Sequence, residues 1–360
     1  MKKTLIAALF VSGTMILNAQ NNSGIEKIQT SVGDSPLELT TEWDKTFPKS
    51  NKVNHKKVTF HNHFGLTLAA DMYVPQNVTG KLPALAVCGA FGAVKEQASG
   101  LYAQAMAERG YLTIAFDPSF TGESSGQPRD VYSLDINTED FQAAVDFLSN
   151  LENVDVDKIG IIGICGWGGI ALNTAANDPR IKATAAITMY DMPRVGAWGY
   201  NDSGSAENRY KAKSNIAQLR SKEYKSGPVQ RAGGNIKQDD PKFNEYPAFL
   251  QQYSNYYVTN RGYHKRSVNS NKGWMLQAQT GWMNNNILAH PEDLRGAVLI
   301  VHGEKAHSRY MGEVTFKKLT GDNKQLLIVP NATHTDLYDG GTKNYIPFEK
   351  IDDFFKTYLK

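Results

Sequence analysis

Apolar runs about as long as a strand recur along the chain and alternate with stretches of helical spacing. KKVTFHN (56–62) and LTLAADMYVP (66–75) flank His63-Phe64-Gly65, a pattern that predicts a hairpin. PALAVCG (83–89) and YLTIAFD (111–117) are apolar enough to be buried on both faces of a sheet, and KIGIIGI (158–164) and IKATAAITMYD (181–191) read as further strands. Between them, 94–110, 138–151 and 168–178 have helical spacing, and Gly110 ends the first of these. The rhythm breaks after Asp191 and returns with GAVLIVHG (296–303), a helix near 309–320, QLLIVPNATH (325–334) and an amphipathic helix over 347–359.

Strand and helix in alternation predict an α/β fold: a mostly parallel central sheet with helices on both faces. Residues 192–290 lack clean apolar runs but carry six aromatics from Tyr246 to Tyr263. Those rings need burial, so the segment reads as an inserted, aromatic-rich cap rather than a disordered linker. The predicted organisation is a leader over 1–20, a polar linker over 21–52, and one domain over 53–360 with the cap at 192–290.

Composition narrows the class. Apolar content of 41% and charge of 21% are ordinary for a globular protein with a core. The net charge of +3 falls to +1 without Lys2 and Lys3, which gives no reason to expect nucleic acid as a partner. Those lysines open MKKTLIAALFVSGTMILNAQ, a signal-peptide pattern with an apolar stretch too short to span a bilayer. The expectation is an exported bacterial protein, periplasmic or secreted, without stable membrane insertion. The two cysteines, Cys88 and Cys165, are too few for a disulfide-stapled scaffold. Oligomeric state is not legible.

The chemistry concentrates at GICGWGGIAL (163–172), where a strand turns sharply into a helix. That turn is the place for a nucleophile elbow, Gly-x-nucleophile-x-Gly, whose backbone crowding calls for small residues two positions either side. Centred on Cys165, the motif has Gly163 before it and Trp167 after it. Cys165 is the residue there able to attack, and the helix N-terminus would favour its thiolate. The rival reading is an inert thiol beside a lost elbow. A literal Gly-x-Ser-x-Gly at 122–126 has no helix directly behind it, so Ser124 is expected to line the pocket rather than attack. His334, on a loop after a late strand, is the candidate general base. The acid stays open between Asp191 and Glu304, with Asp336 and Asp339 as less favoured neighbours of the histidine. Backbone N–H groups of Ala90 or Phe91, and of Gly166, are candidates for an oxyanion hole. The glycines do not fit a dinucleotide fingerprint, and no His-x-x-x-His or similar spacing suggests a metal, so neither cofactor nor metal is expected.

VKEQASGLYA (94–103), FDPSFTGESSGQPR (116–129), GICGWGG (163–169), MYDM (189–192), GEKAHSRY (303–310) and ATHTDLYD (332–339) together resemble the α/β-hydrolase superfamily. The resemblance is to the dienelactone-hydrolase-related branch, with its polyketide transferases, thiohydrolases and bacterial hydrolases. It implies a Ser- or Cys-based triad with His334 as base, acting on an ester, thioester or other acyl small molecule through a covalent acyl-enzyme. Trp167 and Gly89-Ala90 depart from the branch, whose members often have serine or glycine at the first position and His-Pro at the second. In that fold PALAVCG and KIGIIGIC are neighbours, so Cys88 and Cys165 approach one sheet edge and a disulfide becomes a possibility to test. The alternative function is a non-catalytic ligand-binding homologue in which Trp167 is a stacking platform.

Overall fold

The computed structural model describes residues 37–227, 229–234 and 236–360. The leader over 1–20 and the first part of the linker lie outside these residues. The elements run β1 (Val53–His61), β2 (Thr67–Pro75), β3 (Leu82–Cys88), α1 (Ala98–Ala107), β4 (Leu112–Phe116), α2 (Leu134–Ser149), β5 (Val154–Ile164), α3 (Gly166–Asn177) and β6 (Ile181–Ile187). After β6 come α4 (Met192–Trp198), α5 (Ala206–Ser226), β7 (Arg231–Ala232), α6 (Ala248–Tyr257), α7 (Val268–Asn271), β8 (Trp274–Met275) and α8 (Gln279–Trp282). The sheet resumes with β9 (Ala297–Gly303), followed by α9 (Arg309–Phe316), β10 (Lys324–Val329), α10 (Asp336–Asp339) and α11 (Phe348–Tyr358).

The eight-stranded sheet has the order β1-β2-β4-β3-β5-β6-β9-β10. The β1–β2 hairpin and the β2–β4 pair are antiparallel; the remaining pairs are parallel. Strand side chains alternate between faces, and two buried clusters record it. Ala84, Ala86 and Cys88 of β3 join Ile159 and Ile161 of β5 and the apolar sides of α2 and α3. Leu85 and Val87 join Ile162 and Ile164, with α1 and α11, on the other face. Cys165 belongs to this second cluster while Cys88 belongs to the first, so the thiols point to opposite sides of the sheet and both are free. The Cys88 thiol donates to the Phe116 carbonyl at 3.4 Å. The disulfide possibility fails because strand adjacency was considered without side-chain alternation.

A buried charge network underlies the loop after β3. Lys95 is fully buried, with Nζ 2.7 Å from Asp117, 2.6 Å from Glu123 and 2.7 Å from Glu96. Arg266, from the segment between α6 and α7, adds a 2.7 Å pair to Glu96 and a 2.9 Å pair to Asp44. The three carboxylates Glu96, Asp117 and Glu123 are close enough together to suggest a cation site. Their common cation is the lysine ammonium. Such a network costs desolvation and holds together only because its members pair.

Among the described residues of 188–296, five α-helices and the small β7–β8 pair lie between β6 and β9. That pair is tied to the body where Met275 N–H donates to the Asp130 carbonyl at 2.9 Å and Arg231 pairs with the Asp130 carboxylate.

Candidate active site

β5 delivers Cys165 to the elbow. Its φ of +58° and ψ of −126° lie in a region that residues with a side chain avoid. The conformation is held from three directions: Cys165 N–H donates to Ile187 O at 2.9 Å, and its carbonyl accepts from Gly168 N–H at 2.9 Å and Tyr190 N–H at 2.8 Å. Gly163 provides the clearance, because a Cβ there would sit 2.1 Å from the Trp167 carbonyl oxygen.

The Trp167 side chain takes no part in the pocket. It is fully buried on the α2–α3 side of the sheet, edge-on to Phe141 at 5.5 Å and Phe116 at 6.0 Å between ring centres. At 100° per residue, two positions into a helix turn a side chain about 200° away. The Cys165 and Trp167 side chains therefore face opposite ways, and neither a pocket wall nor a stacking platform is available from this ring.

The Cys165 sulfur lines a cavity of about 470 Å³. Its walls are aromatic and aliphatic, with Phe91, Met192, Phe249, Tyr253, Trp274 and Trp282 prominent, and no Asp, Glu, Lys or Arg is among the described lining residues. Burial pushes the Cys165 thiol up, opposed by the hydroxyls of Tyr338 and Tyr253 and the backbone N–H groups of Gly166 and Phe91, which face the sulfur. Two of the expected oxyanion donors, Phe91 and Gly166, thus converge on it. Ala90, the third expected donor, begins the turn that carries Phe91, its carbonyl accepting from Ala93 N–H at 2.9 Å.

The loop carrying Phe91 is clamped from the far side. Asn269 Nδ2 donates to the Phe91 carbonyl at 2.6 Å, and Asn269 N–H and Ser267 Oγ donate to the Gly92 carbonyl at 3.0 and 2.9 Å. Gly92 has φ +79°, and a Cβ on it would meet Asn269 Oδ1 at 2.3 Å. Phe91 itself packs against Tyr132, Trp274 and Trp282, with ring centres 3.9, 4.8 and 5.0 Å away.

His334 is fully buried on the loop between β10 and α10. Its Nε2 meets the hydroxyl of Tyr338 at 3.0 Å and its Nδ1 meets the hydroxyl of Ser308 at 2.7 Å. Burial, followed by the nearby His307 and His302, holds the imidazole well below its ordinary range, so it is neutral at pH 7. The His307 ring lies tilted beside it, 4.9 Å between ring centres, and is pushed down to about 4 by burial.

Neither expected acid reaches His334. Asp191 caps α4, accepting from Arg194 N–H at 3.0 Å. Glu304 is exposed and accepts from Asn331 N–H at 2.8 Å. Both carboxylates are spent on backbone donors left open by a turn. Asp336 accepts from Thr333 N–H and Oγ1, and Asp339 pairs with Arg261 at 2.7 Å. Ser124 also departs from expectation: its hydroxyl donates to Asp117 O at 2.6 Å and accepts from Ala69 N–H at 2.9 Å, pinning the 122–126 turn onto β2 away from the cavity.

The sequence reading missed Ser308, Tyr253, Tyr338 and Asn269. Tyr338 carried a signal, since it lies four residues after His334, one helical turn away. Asn269 carried none, because its value comes from a contact across 178 residues.

A family profile described as X-Pro dipeptidyl-peptidase (S15 family) matches residues 65–336. The chain is 48% identical to uncharacterized protein PA2218 of Pseudomonas aeruginosa over 99% of this chain and 96% of that one. It is 32% identical to uncharacterized protein YcjY of Escherichia coli over 81% of this chain and 93% of that one. Polyketide transferase claH of Penicillium crustosum matches at 30% identity over 37% of this chain and 44% of its own length. The crystal structure of PA2218 superposes with a TM-score of 0.86 at 51% identity, covering 90% of this chain and all of that one. Est1E of Butyrivibrio proteoclasticus, solved with ferulic acid bound, superposes with a TM-score of 0.56 at 16% identity over 84% of this chain and 99% of that one, a likeness of fold.

Proposed function

This chain belongs to the S15 family of α/β-hydrolases, and on that premise we propose that it hydrolyses, or transfers, the acyl group of an ester or thioester through an acyl-enzyme on Cys165. Serine is the more typical nucleophile of such hydrolases; here the elbow presents a thiol. The observation that carries the reading is the convergence on one sulfur of the Phe91 and Gly166 N–H groups at the mouth of an apolar cavity. The same two donors suit the oxyanion that forms when the sulfur attacks a carbonyl, and each such donor is worth about 3 kcal/mol in a transition state. His334, neutral at pH 7, is the base.

The cavity argues for the acyl group's character. Removing a dipeptide from a peptide's amino terminus requires binding a free ammonium, and the described lining residues offer no carboxylate to it. A neutral aromatic or aliphatic acyl group suits these walls. Export through the leader over 1–20 is part of the same proposal.

The test uses p-nitrophenyl benzoate and its thioester analogue. The expected result is a burst of leaving group with the native protein, abolished in Cys165→Ala and reduced at least a hundredfold in His334→Ala. Full activity in Cys165→Ala removes the proposal. One observation favours a second reading: His334 has a serine, not a carboxylate, at Nδ1, which suits a ligand-binding protein that no longer turns over. Silence across a broad acyl panel together with saturable binding of the free acids would select it.

A further inference from the structure

We propose that Tyr338 is a catalytic residue that relays the proton between Cys165 and His334, so that the working unit is a Cys–Tyr–His–Ser chain in place of a direct nucleophile–base pair. The inference rests on the acyl-enzyme reading and adds a member to it. In the usual arrangement the base's Nε2 faces the nucleophile. Here Nε2 faces the Tyr338 hydroxyl at 3.0 Å. That same hydroxyl is the largest of the interactions favouring the Cys165 thiolate. On the other side of the ring, Nδ1 lies 2.7 Å from Ser308 Oγ, which leaves Nε2 free to accept if Nδ1 carries the proton.

The chain is assembled by local geometry. Tyr338 is the third residue of α10, four positions after His334, so its hydroxyl folds back over the imidazole. Its ring is wedged edge-on against Tyr256 at 5.0 Å, Tyr257 at 6.1 Å and His334 at 5.3 Å between centres, which fixes the hydroxyl's position. The other titratable groups around the sulfur are Tyr253, Tyr257 and Tyr190, and His307 lies beside His334. Burial raises all three of those tyrosines. The site therefore rests as a wholly neutral chain: thiol, phenol, imidazole, serine.

The reaction balances as follows. As Sγ bonds to the acyl carbon, the thiol proton moves to the Tyr338 oxygen and the phenolic proton moves to His334 Nε2. The carbonyl π pair becomes an oxyanion at the Phe91 and Gly166 N–H groups. When the oxyanion collapses, the bond to the alkoxide or thiolate leaving group breaks, and the same two protons shift back by one place each to protonate it. Water then attacks the thioester, loses its proton along the same chain, and leaves the carboxylic acid and the original thiol. No oxidant, metal or co-reactant is needed. Because no carboxylate stabilises the imidazolium, charge separates only while the substrate's oxyanion is forming, and the free enzyme keeps its thiol protonated.

Tyr338→Phe removes one oxygen and keeps the ring. Two readouts are taken: kcat/KM with its split into kcat and KM on p-nitrophenyl benzoate, and the rate of Cys165 alkylation by iodoacetamide from pH 6 to 10. We expect kcat/KM to fall at least tenfold, nearly all of it in kcat, and the alkylation midpoint to move to higher pH, because the hydroxyl that favours the thiolate is gone. Tyr73→Phe, which also removes one buried phenol oxygen but on β2, where that hydroxyl has no hydrogen-bond partner, should leave both readouts unchanged. A Tyr338→Phe enzyme within tenfold of the native rate, or an alkylation midpoint that stays or falls, overturns the relay; faster alkylation would show the tyrosine to be a plug. If Cys165→Ala keeps its activity, the acyl-enzyme reading itself has failed. If Cys165→Ala is dead while Tyr338→Phe is not, the relay alone has failed. Alkylation tests the relay even where this ester is a poor substrate.

Discussion

Replacing Trp167 decides whether the residue two positions after Cys165 serves the fold or the ligand. The indole is fully buried between α2, α3 and the sheet, edge-on to Phe116 and Phe141. A Trp side chain removes ~150–250 Å² from water, worth about 4–6 kcal/mol at ~25 cal/mol per Å². Measured Trp→Ala substitutions cost about 3–5 kcal/mol once partial collapse of the site is allowed. Trp167→Ala should therefore lower stability by about 4 kcal/mol. The indole N–H has no hydrogen-bond partner, so Trp167→Phe loses volume alone, ~40 Å³, or about 1 kcal/mol. Urea denaturation of the two variants gives these values. KM for p-nitrophenyl benzoate, measured on the folded Trp167→Phe enzyme, should stay within about twofold of native, since the ring lies across the sheet from the sulfur. A Trp167→Phe protein as stable as the native one but unable to bind acyl ligands would refute this placement and restore the stacking-platform reading.

Three further predictions concern electrostatics and the oxyanion loop. His302 and His307 are pushed down to about 3 and about 4, below the ordinary ~6.5. Their stability contribution is therefore complete above pH 6.5 and is lost as pH falls from 6.5 toward 4, about 2 kcal/mol each by pH 5. Neither nitrogen of His302 has a partner, so His302→Leu should fold well and lose about 2 kcal/mol of the stability difference between pH 7.5 and 5.0; parallel pH profiles for the two proteins would count against it. Lys95→Met leaves Glu96, Asp117 and Glu123 without their shared ammonium and should cost about 3–5 kcal/mol in urea denaturation, whereas a loss under 1 kcal/mol would mean that Arg266, paired with Glu96, and Lys57, whose Nζ also reaches Glu96 at 3.6 Å and pairs with Glu123, suffice. Asn269→Ala frees the Phe91 carbonyl and should lower kcat by about tenfold with little change in melting temperature; a change confined to KM would mean that Asn269 contacts substrate rather than the loop.

The fold was legible because it depends on short-range pattern. Apolar runs such as PALAVCG and KIGIIGI became β3 and β5, and the break after Asp191 fell where the sheet pauses between β6 and β9. The elbow and the loop histidine were legible for a related reason: each follows a recognisable strand. Side-chain direction was not. Trp167 was judged by its bulk beside a crowded turn, although a helix start sends it to the opposite face from Cys165. The acid was misread at both positions, because whether a carboxylate aims at an imidazole or at a backbone N–H depends on a few degrees of loop curvature. Asp191 and Glu304 both went to the backbone, and Ser308 took the contact with His334. Tyr338 was passed over because the search was for carboxylates, although its distance from His334 matches one helical turn.

The hydrogen bonds from Ser267 and Asn269 to the loop carrying Phe91 make two properties heritable together. The segment that walls the cavity beside Cys165 also fixes the loop whose Phe91 N–H faces the sulfur, so neither can drift without the other. A chimera that grafts another family member's insertion onto this sheet would import a new pocket and unfasten the Phe91 loop in the same step. Directed evolution toward new acyl groups should accordingly succeed at Met192, Phe249 or Trp282, which line the cavity, and stall wherever crossovers separate residues 267–269 from residues 91–92.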